Sequence, residues 1–165
     1  MEPHERQAIL EALRASNIAD DTIYTEALDA CRLIERRPSL REIRGPRSGI
    51  AYVALRTRAS GITLGDRIFI RSDCFREHGR PPLELIAHEV AHVVQFRRDG
   101  TAPFLTRYLF DYARNLASGM PDREAYLAIP YEREARREGT ALGRPRGVLW
   151  VAVDQQCGEL GEFLA

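Results

Sequence analysis

Lysine is missing from this 165-residue chain, and all 24 of its basic residues are arginine. Such a set can serve as phosphate-binding forks, but coding bias in a GC-rich genome is its commoner origin, and we read it so. Net charge is missing too. Twenty-four acidic residues offset 24 basic ones, so no overall field draws the chain to nucleic acid or to an anionic membrane, and neither is expected as a partner. No apolar run approaches the roughly 18 residues that span a bilayer, and the opening Met1 to Gln7 lacks the core of a signal peptide. The expectation is a soluble, cytoplasmic protein. Cysteine is scarce. Cys31, Cys74 and Cys157 are odd in number, widely spaced and without a Cys-x-x-Cys pair, which argues against a thiolate metal site and leaves them as reduced structural thiols.

What is present suits one globular unit. The apolar fraction of 44% is enough for a core, and no repeat, low-complexity tract or linker divides the chain, so residues 1–165 are read as a single domain. Within it we expect a helical N-terminal part at 5–37, a core at 45–143 and a C-terminal tail at 144–165. Ile9, Leu10 and Leu13 share one side of a first helix. A second, capped by Asp20 or Asp21, carries Ile23, Ala27, Ala30, Cys31 and Ile34 as an apolar stripe until Pro38 stops it. From Gly45 to Asp73 the period shortens: Ile50 to Val53, Ile62 to Leu64 and Ile68 to Ile70 read as small antiparallel strands, with glycines suited to a turn or bulge before Asp66 to Arg71.

Pro81-Pro82 opens a helix whose apolar positions, Leu83 to Val94, cover more than half its circumference, so it should be central. Arg97, Arg98 and Gly100 close it. Another helix runs from Pro103 to Ala117 with Phe104, Leu105, Tyr108, Leu109, Tyr112 and Leu116 as its apolar side. A last begins near Pro130 and ends by Gly139 or Gly143. In the tail, Val148 to Val153 fits either a strand or a buried helix.

The central helix carries His88-Glu89-Val90-Ala91-His92. Residues four apart lie on one helix face, so His88 and His92 can converge on one Zn²⁺ from successive turns. Glu89 flanks that face, placed to take a proton from a water without becoming a ligand. Two histidines and a glutamate arise by chance on surface helices. Inside an apolar helix, however, leaving them unpartnered is costly, which favours the metal reading. The pattern points to a zinc metallopeptidase acting on a polypeptide substrate. A catalytic site needs a third protein ligand, and Tyr131-Glu132-Arg133-Glu134-Ala135-Arg136 offers two glutamates. Two apart on a helix, they point different ways, and only one can face the metal. Tyr108, Tyr112, Tyr126 and Tyr131 are candidates to steady an oxyanion, although such tyrosines are more often core residues. His4 and His78 read as surface histidines.

The stretch Leu85 to Gln95, preceded by Gly65 to Ile70 and followed by Ile129 to Arg136, resembles the zincin-like domains of the DUF4157 group, the extracellular contractile injection system core domain. It also resembles the broader gluzincins, and the likeness spans about Gly61 to Gly139. It implies an α+β, zincin-like fold: a small antiparallel sheet packed on the His-Glu-x-x-His helix, with later helices closing the site. Gluzincins place the third ligand first in a Glu-x-x-Ala/Ser-Asp pattern, which selects Glu132. The chain departs from that pattern at Arg136, where the family has an aspartate that orients a histidine. Arginine accepts no hydrogen bond, so a backbone carbonyl, Asp111 or Glu138 should do so instead. The resemblance further implies association with a contractile injection particle and delivery outside the cell. The strand near Asp66 to Arg71, read as an edge, would hold an extended substrate by strand addition. The competing reading, which Arg136 supports, is a zinc-stabilised binding or structural module with little hydrolytic activity.

Overall fold

A computed structural model describes residues 1–15, 21–36, 59–75 and 79–141. The expectations for Ile50 to Val53, His78, Cys157 and the tail lie outside those residues, as does the Leu13 side chain. The described elements are α1 (Pro3–Ala15), α2 (Asp21–Ala30), β1 (Arg32–Arg36), β2 (Gly61–Leu64), β3 (Arg67–Arg71), a 3₁₀ turn (Ser72–Phe75), α3 (Leu83–Asp99), α4 (Thr101–Ala117), α5 (Asp122–Leu127) and α6 (Pro130–Ala141). This is an α+β arrangement, helical for the most part. No described helix is long and apolar enough to cross a membrane.

The sheet corrects two expectations. Its order is β1-β3-β2, with β2 antiparallel to β3 and β1 parallel to it, so it is mixed rather than antiparallel. Residues 32–36 are therefore a strand and not the end of the second helix, and the N-terminal part is not wholly helical. Ile34 pairs with Phe69 across β3 and packs with Phe69, Ile62 and Leu64 on one face, whereas Leu33 joins the main core on the other. That alternation is a strand period, and the edge of β3 supplies the partner that local pattern cannot show. It follows that Arg67–Arg71, expected at an edge, is the central strand among the described residues. Gly65, at φ 71°, makes the two-residue turn from β2 to β3, where a β-carbon would be strained.

α3 is the centre of the molecule. Every residue from Leu85 to Phe96 except His88 is buried. One side meets Ile68 and Ile70 of β3 with Ile9 and Leu10 of α1 and Ala27 and Leu28 of α2, and α6 packs along another. Gly100, at φ 80°, ends α3 by donating its N–H to the Phe96 carbonyl at 3.0 Å, and its own carbonyl accepts from Phe104 as α4 begins. Glu5 ties α1 to the approach to α3. Its carboxylate accepts the Glu2 N–H at 2.8 Å, as in a capping box, and pairs with Arg80 at 2.6 Å; the Arg80 hydrogen bond, against the cost of burial, holds its pKa below the usual carboxylate value.

α4 departs from expectation on its apolar side. Phe104 and the partly buried Tyr108 and Tyr112 pack inward on Phe96, Ile129 and Tyr131. Leu105, Leu109 and Leu116 are exposed, with Phe110 beside them at 64%. The expected face is too wide for one contact, and the aromatic residues take it. The cysteines also divide. Cys31 is a free buried thiol, but Cys74 is disulfide-bonded, so the three are not uniformly reduced; an odd count leaves room for one pair.

Candidate metal centre

The helical period brings His88 and His92 to one face of α3, with ring centroids 4.9 Å apart. α6 lies across that face. Because Glu132 is in its first turn, its carboxylate enters between the imidazoles: Oε2 stands 3.4 Å from His88 Nε2, and Oε1 stands 3.3 Å from His92 Nε2. One ligand atom from each of the three residues lies within 4.8 Å of the others. Atoms bound to one tetrahedral zinc at roughly 2.0–2.1 Å stand roughly 3.3–3.4 Å apart; each imidazole lies at that distance from a different oxygen of Glu132, so the carboxylate spans the two rings rather than offering one oxygen to both. Glu132 is 2% exposed, and its Oε2 is buried without a hydrogen-bond partner. An unspent lone pair on a buried carboxylate is costly unless a cation takes it. The donor set and the orphaned oxygen thus fit a zinc ion.

Glu134 points elsewhere. It receives Arg98 Nη1 at 2.7 Å on the outer side of α6, the divergence expected of residues two apart on a helix.

The orienting partner of His92 is none of the groups anticipated. Gln95, one turn on in α3, places Oε1 2.8 Å from His92 Nδ1. Its Nε2 donates to the Tyr131 carbonyl at 3.0 Å and to Glu134 at 3.1 Å, so the amide cannot be turned round. Gln95 must accept, which puts the neutral ring's proton on Nδ1 and leaves Nε2 its lone pair towards Glu132. Asp111 pairs instead with Arg114, and Glu138 lies against Tyr24. The three-residue spacing of His92 and Gln95 on one helix face was a signal available in sequence.

Glu89, 4% exposed, is held from the sheet. Thr63 Oγ1 lies 2.7 Å from Glu89 Oε2 and 3.0 Å from the Glu89 carbonyl, the hydroxyl serving as donor. Alternation along β2 sends Thr63 and Gly61 towards α3, and a β-carbon at Gly61 would sit 2.6 Å from Glu89 Oε1. Neither residue was foreseen, because their role depends on how β2 approaches α3.

The charges reinforce one another in the metal-free chain. Burial opposes charging His92, but Glu132, helped by Glu89 and Gln95, outweighs it and pushes the imidazole pKa up to about 9. Burial opposes ionising Glu132, yet His92 and His88 hold it well below the usual carboxylate range. Tyr108 donates to Glu132 Oε1 at 2.6 Å. Burial, and then the charge on Glu132, raises the Tyr108 and Tyr126 hydroxyls well above the usual phenol value. Three of the four tyrosines expected near an oxyanion are otherwise engaged, Tyr108 on Glu132, Tyr112 on Asp122 and Tyr131 on Asp99, and Tyr126 lies beside Glu132 and Tyr108. His4 is exposed, as expected. Arg136 reaches the site as well, with Nη1 3.7 Å from Glu132 Oε2 while Nη2 donates to the Leu127 carbonyl.

Residues 43–100 match the family model of the eCIS core domain. The matched stretch holds β2, β3, His88, Glu89, His92 and Gln95. It stops before Glu132, so this likeness is shorter at its C-terminal end than the resemblance to about Gly139. Comparison with curated proteins and with solved structures gives no significant match.

Proposed function

We propose that this chain is a zinc-dependent metallopeptidase of zincin-like fold, with His88, His92 and Glu132 as metal ligands and Glu89 as general base. The observation that carries the reading is the entry of a buried carboxylate between two imidazoles from successive turns of one helix, with one oxygen unpartnered. Zinc held there supplies a Lewis acid for a water and a peptide carbonyl. Glu89 accepts the proton of the attacking water and delivers it to the departing amine. Thr63 fixes the carboxylate for that task. Gln95 keeps His92 in the tautomer whose Nε2 can bind a metal.

The eCIS core match supports association with a contractile injection particle, and with it delivery outside the cell. A polypeptide is the substrate class the site chemistry favours. A second reading, a zinc-stabilised binding module without turnover, draws its support from Arg136, a cation beside the third ligand. Metal analysis of the purified protein, paired with an assay for chelator-sensitive cleavage of an unstructured polypeptide, separates the two. Stoichiometric zinc with turnover that chelator abolishes is the expected result. Zinc without turnover favours the module, and absence of zinc removes both.

A further inference from the structure

Arg136 has no place among the ligands or the base, yet it is directed into the site. It lies one turn beyond Glu132 on α6, with its side chain only 18% exposed. Nη2 is anchored on the carbonyl of Leu127 at the end of α5, and Nη1 stands 3.7 Å from Glu132 Oε2. That separation is an ion-pair contact without a hydrogen bond, since Oε2 has no hydrogen-bond partner. The guanidinium therefore gives charge to this oxygen without using its lone pair. The other groups facing the carboxylate are His88 and His92 from α3, Tyr108 from α4 and Tyr126 from α5. Among these groups Arg136 alone is a permanent cation, because guanidinium does not lose its proton in proteins.

We propose that Arg136 is a resident counter-charge for Glu132: it keeps the three ligand side chains assembled when no metal is bound, and it weakens zinc binding by sharing the carboxylate. The inference rests on the zinc reading above and concerns how that site gains and releases its metal. Losing one of the cations beside a buried carboxylate destabilises the fold that holds it. With Arg136 in place, the metal-free chain remains folded and the ligands need no rearrangement. The same proximity opposes an incoming dication and draws electron density from the ligand oxygen. Stability of the empty site and affinity for zinc are thus set against each other through one side chain.

Opposite signs make the test. In Arg136→Met, which keeps the stem and loses the charge, zinc affinity measured by competition with a chromophoric chelator should rise by about 10- to 100-fold, the range in which partners of metal ligands act. The metal-free form of the same variant should melt below wild type. Arg136→Lys, which keeps the charge, should stay within a few-fold of wild-type affinity. A merely structural role predicts that Arg136→Met loses both stability and affinity, and that result overturns the proposal, as does unchanged affinity. Should the methionine variant not fold, wild type still decides: its chelator-treated form must show cooperative unfolding, and a metal-free wild type that is already unfolded overturns the proposal. Wild type that takes up no zinc under any condition removes the metal reading itself, whereas wild type that binds zinc beside an unaltered Arg136→Met removes only this inference.

Discussion

Gly61 faces the carboxylate of Glu89 so closely that a β-carbon there would lie 2.6 Å from Oε1. The contact sets the space in which the proposed base is held, with Thr63 on its other oxygen. Gly61→Ala must therefore push Glu89 aside while leaving the ligands alone. Zinc content should stay stoichiometric, and cleavage should fall by about 10²-fold, the cost of a reacting group misplaced by an ångström. Zinc analysis and peptidase rates on the same preparation check it, with Glu89→Gln as the reference for loss of the base.

Replacing Gln95 by Met keeps much of the side-chain volume but removes the acceptor for His92 Nδ1–H. Zinc affinity should drop by about 10- to 100-fold. Gln95→Glu restores that acceptor but sets its second oxygen against the Tyr131 carbonyl and Glu134, so it should recover only part of that loss. Chelator competition at fixed pH reads both variants, and equal affinity in wild type and Gln95→Met would remove Gln95 from the site.

Glu132→Ala and Glu134→Ala should behave differently despite their nearness in sequence. The first removes a proposed ligand and should leave little bound zinc. The second removes the partner of Arg98, whose side chain is 41% exposed, and one of the two acceptors of Gln95 Nε2, which keeps the Tyr131 carbonyl; it should cost about 1–2 kcal/mol in denaturant unfolding with zinc retained. Loss of zinc in Glu134→Ala alone would reverse the assignment.

Glu138 is 2% exposed and its Oε2 has no hydrogen-bond partner. Burial, opposed by the Tyr24 hydrogen bond, pushes its pKa from 4.5 up to about 7. Between those values the folded chain holds a proton that the unfolded chain releases, so this group's contribution to stability is complete below pH 4.5 and declines as pH rises through about 7. Unfolding free energies across that range should fall for wild type, and Glu138→Gln should flatten the slope. An identical slope in the variant would exclude Glu138 as its source.

Much of the candidate site is legible in local sequence because helix geometry fixes it. His88 and His92 share a face wherever α3 lies, and Glu132 and Glu134 diverge whatever α6 packs against. The strand at 32–36 is not legible, since Cys31 and Ile34 continue a helical stripe until β3 offers its edge. The apolar side of α4 misleads for a related reason: Leu105 and Leu109 match the period as well as Tyr108 and Tyr112 do, and only the position of Tyr131 and Ile129 decides which set turns inward. Thr63 and Gly61 meet Glu89 across 26 and 28 positions of chain, a relation that no local pattern records. Gln95 was within reach of the same three-residue rule that pairs neighbours on a helix.

Because β1 pairs parallel with β3 and Glu132 comes from α6, the stretch resembling the eCIS core domain is not a portable unit. Excised at 43 and 100, it would carry two imidazoles and the proposed base but neither the third carboxylate nor the strand and helices that cover β3 and α3. A fragment that keeps the described contacts spans at least α1 to α6. A cut or fusion at the C-terminal edge of the matched stretch would fall between α3 and α4, inside the fold rather than beside it.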